Sequence, residues 1–108
     1  MKSMLEGLEK TLPPISSTKT LGDPIVYAKL YIPGSNRAWY ILQGERQDDE
    51  FVFFGYERRN HYSDPHSVKG ERFTYSFLQK AGTIVRSSIE IDLSFRPQPL
   101  SFIEREEA

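Results

Sequence analysis

The chain predicts an α+β fold: one domain with an antiparallel sheet of about five strands that opens as a meander, a short N-terminal helix and one further helical turn. Three observations carry this. Segments that alternate apolar and polar residues, or are rich in β-branched and aromatic ones, recur between residues 25 and 96 at mostly hairpin-length intervals. One segment ahead of them has apolar residues at helical spacing. Finally, 108 residues with 38% hydrophobic and 13% aromatic content suffice for one core, whereas two cores would each be marginal.

Ser3 stands three residues before Glu6 in the pattern of a capping box, and Met4, Leu5, Leu8 and Leu12 share one helical face. Pro13 and Pro14 end that helix, because proline lacks an amide donor and displaces its predecessor from helical geometry. A polar connector follows, so residues 1–24 read as helix and linker, 25–100 as the sheet domain and 101–108 as a frayed tail.

Ile25 to Ile32 reads as the first strand, with Val26, Ala28, Leu30 and Ile32 on one side and Ile25, Tyr27, Lys29 and Tyr31 on the other. Pro33-Gly34-Ser35-Asn36 is turn chemistry, and Arg37 to Glu45 forms the antiparallel partner. A polar loop, RQDDE, leads to FVFFGYERR. There Phe51, Phe53 and Gly55 alternate with Val52, Phe54 and Tyr56, so both faces are apolar. That suits a strand covered on both sides, with Gly55 marking a bulge or the close approach of another backbone.

Residues 59–70 lack apolar periodicity and read as an exposed loop. Phe73, Tyr75 and Phe77 alternate as a half-buried strand, closed by one helical turn capped by Ser76 and stopped by Gly82. Ile89, Ile91, Leu93 and Phe95 then face inward, while Glu90, Asp92, Ser94 and Arg96 face out, until Pro97 and Pro99 end the strand.

Fourteen Lys and Arg against 15 Asp and Glu give no field that would draw a polyanion. The absence of cysteine removes disulfides, thiolate metal sites and Cys nucleophiles, and fits a cytoplasmic location. Apolar runs of about five residues fall short of the roughly 20 that a membrane helix needs, and the N-terminus has no signal-peptide pattern; no membrane partner is expected.

Three pieces resemble a known family: AKLYIPGSNRAWY (Ala28 to Tyr40), FFGY (Phe53 to Tyr56) and IEIDLSFRP (Ile89 to Pro97). They are similar to the bacterial domain-of-unknown-function family 2958, in which a Lys-Leu-aromatic strand precedes a Trp-Tyr strand, a Phe-Gly pair and a carboxylate-rich strand. The resemblance covers roughly Ala28 to Pro97. It implies an accessory protein of bacterial mobile elements, plasmids or phages, and no agreed activity. Ile91 stands where the family carries arginine, so no role for that arginine transfers.

Three sets of residues carry candidate chemistry. Glu90 and Asp92, two apart on one strand face, could hold a divalent metal or work as an acid/base pair; cross-strand salt bridging on a solvated face is the plainer reading. His61, Asp64 and His66 could ligate zinc or iron, but their spacing matches no metal signature and loop histidines arise by chance, so no metal or cofactor is expected. Tyr27, Lys29, Tyr31, Trp39, Tyr40, Tyr56, Arg58 and Arg59 combine rings and cations as interface hot spots do. Trp39 and Tyr40 point to opposite faces, so one of them belongs to the core. The first expectation is a non-enzymatic module that binds a protein. The alternatives are a nucleic-acid binder using the same rings with Lys29, Arg37, Arg58 and Arg59, and a metal-assisted enzyme on Glu90 and Asp92.

Overall fold

The computed structural model describes residues 2–15, 24–58 and 70–107. Helix α1 (Lys2–Thr11) is followed by strands β1 (Ile25–Val26), β2 (Ala28–Tyr31), β3 (Ala38–Gln47), β4 (Glu50–Arg58) and β5 (Glu71–Thr74). Helix α2 (Tyr75–Ile84), strands β6 (Glu90–Ile91) and β7 (Gln98–Pro99) and helix α3 (Leu100–Glu107) complete the chain. Five strands form one antiparallel sheet in the order β5-β4-β3-β2-β6, and β1 pairs with β7 in a separate two-stranded ladder. The fold is α+β, and β2 to β5 form the meander while β6 returns to the far side of β2.

Each face of the sheet has its own core. On the first, Leu8 of α1, Leu12 just after it, and Tyr75, Leu78 and Ala81 of α2 bury against Leu30, Trp39, Ile41, Phe53 and Phe73. On the second, Ile103 of α3 packs with Val26, Tyr40 and Leu42, flanked by Phe54, Tyr56, Phe95 and Leu100. FVFFGY is therefore covered on both sides. Leu5, Leu8 and Leu12 follow the i, i+3, i+7 spacing that gives a helix one apolar stripe.

The β2–β3 hairpin turns at Pro33-Gly34, where Gly34 takes φ +81° and the Ser35 amide donates to the Ile32 carbonyl at 3.1 Å. Proline first and a positive-φ glycine second is the composition of a type II turn. In the β3–β4 hairpin, Ile41 pairs with Gly55 and Gln43 with Phe54, leaving Leu42 as the extra residue of a β-bulge. A Cβ on Gly55 would lie 2.1 Å from the Tyr40 carbonyl oxygen, so glycine is what lets the two backbones meet there.

Several expectations are corrected. The helix begins at Lys2, which puts Ser3 within its first turn instead of before it. Residues 25–32 are not one strand: the ladder breaks at Tyr27, Val26 buries in the second core, and Ala28, Leu30 and Ile32 bury in the first. The RQDDE loop shrinks to a turn at Asp48-Asp49, with Asp48 at φ 56°, because ladder hydrogen bonds hold Arg46 and Gln47 in β3. α2 has ten residues, not one turn, and runs through Gly82. Its cap is Thr74, whose Oγ1 accepts from the Phe77 amide at 3.1 Å, while Ser76 Oγ donates to Glu50 at 2.8 Å. Tyr75 and Phe77 thus lie on a helix.

The last strand keeps only Glu90 and Ile91 of the alternation expected through Phe95. Asp92 Oδ1 accepts from the amide and hydroxyl of Ser94 at 2.9 and 2.7 Å, and this side-chain turn displaces the ladder. Leu93 is left 86% exposed. The expected tail is helix α3, entered just after Pro99 and anchored by buried Ile103. The connector at 16–23 and the loop at 59–69, with Arg59, His61, Asp64 and His66, lie outside the described residues. Among the described residues no helix is long and apolar enough to cross a membrane.

Candidate functional site

Residues directly opposite in an antiparallel ladder share a sheet face. Glu90 pairs with Tyr31, Tyr31 with Ala38 and Ala38 with Arg58, so these four form a row across β6, β2, β3 and β4 on the second face. The neighbouring row is Lys29, Tyr40 and Tyr56, and the Asp92 amide extends it by donating to the Lys29 carbonyl at 2.9 Å. Ala38 is the short side chain of its row. The result is a notch of about 250 Å³ with Ala38 at its base, lined by Lys29, Tyr31, Arg58 and Asp92, with Ser35 and Arg37 at the hairpin end.

Glu90 and Asp92 lie on the β6 side of the notch and Arg58 on the β4 side, with Lys29 next to Asp92. Glu90 and Arg58 lie three strands apart, about 14 Å at a spacing of roughly 4.8 Å per strand. The acidic side is internally bonded: Tyr31 Oη donates to Glu90 Oε1 at 3.2 Å, and Asp92 accepts from Ser94. Hydrogen bonds from the Ser94 hydroxyl and amide hold Asp92 below its ordinary pKa of 3.8, against desolvation, and the Lys29 charge and the Phe95 amide assist. Desolvation raises Tyr31 above its ordinary 10.0, helped by the charge of Glu90, the hydrogen bond to it and the charge of Asp92.

On the basic side, Arg37 Nε donates to Glu57 Oε2 at 2.7 Å, and its guanidinium lies 4.9 Å from the Trp39 ring centroid. Lys29 Nζ stands 5.8 Å from the centroid of Tyr40, whose ring lies 6.3 Å from that of Phe95. Tyr40 thus connects Lys29, which lines the notch, to the second core.

The residues proposed from sequence divide accordingly. Lys29, Tyr31 and Arg58 meet at the notch, and Tyr56 lies partly buried in the adjoining row. Trp39 is 1% exposed in the first core and Tyr40 5% exposed in the second, so both serve packing and neither offers a contact surface. The prediction that they take opposite faces agrees with this. Tyr27 packs against the first core, apart from Lys29 and Tyr31, because the break at this residue changes the facing of the chain. Glu90 and Asp92 flank Tyr31 but bond to different partners. Among the described residues, no three His, Asp or Glu side chains assemble as a metal-ligand set.

Sequence reasoning missed Ala38 and Ser35. The signal for Ala38 was its place between Arg37 and Trp39, a small residue in a strand of large ones, opposite Tyr31 once the hairpin register is drawn. No family model, no curated protein and no solved structure matches the chain.

Proposed function

We propose that the protein is a non-enzymatic binding or regulatory module that engages a protein partner through the second sheet face around the Ala38 notch. The observation that carries the reading is the convergence of Lys29, Tyr31 and Arg58 on one concave, half-buried patch, where a ring and two cations stand at the edge of a hydrophobic core. Such a patch has the composition of an interface hot spot. The carboxylates that a metal-assisted mechanism would need are engaged instead with Tyr31 and Ser94, which favours a binding role over catalysis. The resemblance of the three motifs to family 2958 extends the proposal to an accessory protein of a bacterial mobile element acting in the cytoplasm.

Affinity capture from a bacterial lysate, with and without nuclease, tests it. Specific protein partners should survive nuclease and be lost from a Tyr31→Ala, Arg58→Ala double variant that remains folded. Retention of every partner by that variant would refute the reading. Partners that disappear with nuclease would favour the nucleic-acid alternative, for which Lys29, Arg37 and Arg58 supply the cations.

A further inference from the structure

We infer that the Ala38 notch is a carboxylate-binding site, and that the partner's acidic side chain or chain terminus sits over Ala38 between Lys29 and Arg58. This deepens the proposed function and rests on it.

The first argument is donor capacity. An ammonium group carries three N–H donors and no acceptor. Lys29 makes no ion pair within 4.0 Å among the described residues. Its Nζ stands 5.8 Å from the centroid of the Tyr40 ring, and its charge acts on Asp92 without an ion pair. Asp92 Oδ1 takes its hydrogen bonds from Ser94, and Glu90 Oε1 takes the Tyr31 hydroxyl. Lys29 therefore keeps N–H donors that no described carboxylate accepts.

The second argument is placement. Ala38 is buried at the base, while Lys29, Tyr31 and Arg58 are each half-buried around it. Cations at a partly desolvated wall bind an anion more strongly than they would in open water, and a guanidinium beside a planar carboxylate can form two parallel hydrogen bonds. The third argument is size and surroundings. About 250 Å³ leaves room for a carboxylate and its side-chain stem. A phosphodiester chain would have to continue past the notch and carry several charges by Glu90 and Asp92 on the β6 side. A single carboxylate placed toward Arg58 meets Asp92 with one charge only.

The test follows backbone amide shifts by two-dimensional NMR on the full chain. It titrates a blocked hexapeptide of alternating Glu and Ala in one arm and decathymidylate in the other. The peptide should shift the amides of Lys29, Tyr31, Ala38 and Arg58 together and saturably. Lys29→Gln should weaken it roughly tenfold, the worth of one hydrogen bond to a charged group. Ala38→Leu, which fills the notch and keeps every charge, should abolish it, and Arg46→Gln should leave it unchanged. Absence of peptide shifts, indifference to both notch substitutions, or tighter binding of decathymidylate at the same amides would overturn the inference. Should the peptide fail while partner capture still depends on Tyr31 and Arg58, the carboxylate assignment falls and the binding module stands; failure of both removes both.

Discussion

The carbonyl oxygen of Tyr40 occupies the space in which a side chain on Gly55 would begin, 2.1 Å from an ideal Cβ. This contact lies beside the bulge at Leu42, and the Tyr40 ring on the same strand stands 5.8 Å from Lys29 Nζ. Gly55→Ala must therefore push β3 and β4 apart where both cores depend on them. We expect a loss of at least ~3 kcal/mol, in the severe tail of single substitutions, read as a lower urea midpoint.

The cap of α2 gives a second prediction. Thr74→Ala removes the acceptor for the Phe77 amide and should cost about 1 kcal/mol, while Thr74→Ser should be nearly neutral. If Ser76→Ala costs more than Thr74→Ala in the same denaturation series, the assignment of the cap is wrong.

Ile89 and Leu93 share an alternation in sequence but not a fate in the fold. Ile89 is buried in the first core, so Ile89→Ala should cost roughly 2–5 kcal/mol. Leu93→Ala should stay within about 0.5 kcal/mol, as surface substitutions do. Equal losses at the two sites would restore the longer strand.

Two groups beside the notch make stability depend on pH in opposite directions. Asp92 has a folded pKa below its ordinary 3.8, so its contribution is present above that value and is lost as the pH falls through the folded pKa. Tyr31 is raised above 10.0, so the folded state keeps the phenolic proton longer, and that contribution is lost as the pH rises past 10.0 through the folded pKa. Tyr31→Phe should flatten the alkaline limb of a stability–pH profile and leave the acid limb in place. Asp92→Asn should do the reverse.

Much of the fold was legible because it rests on periodicity. The alternation of Ala28 to Ile32 and of Phe51 to Tyr56, the turn at Pro33-Gly34 and the helical spacing of Leu5, Leu8 and Leu12 each reflect burial that the sequence must encode residue by residue. What escaped depends on a choice between competing partners. Asp92 gives its amide to the Lys29 carbonyl but its side chain to Ser94, which ends the ladder there, Thr74 takes the cap that Ser76 also had the chemistry to take, and Tyr27 turns the chain from one core to the other. The notch was partly hidden for a related reason. Lys29, Tyr31 and Arg58 were visible as chemistry, but a concavity is made by a missing side chain, and Ala38 signals one only when its cross-strand neighbours are known.

The ladder between β1 and β7 acts as a latch. Ile25 pairs with Pro99 and the Leu100 amide donates to the Pro24 carbonyl at 2.8 Å, so the start and the end of the sheet segment are fastened together. Closing so long a loop costs chain entropy that the two residue pairs, the Leu100–Pro24 hydrogen bond and the burial of Val26 and Ile103 offset. The same clasp brings Ile103 of α3 into the core that holds Tyr40, the ring beneath Lys29. Hydrogen exchange should release the Leu100 amide before those of Trp39 and Phe53, and occupancy of the notch should slow that release by steadying Lys29 over the ring against which α3 packs.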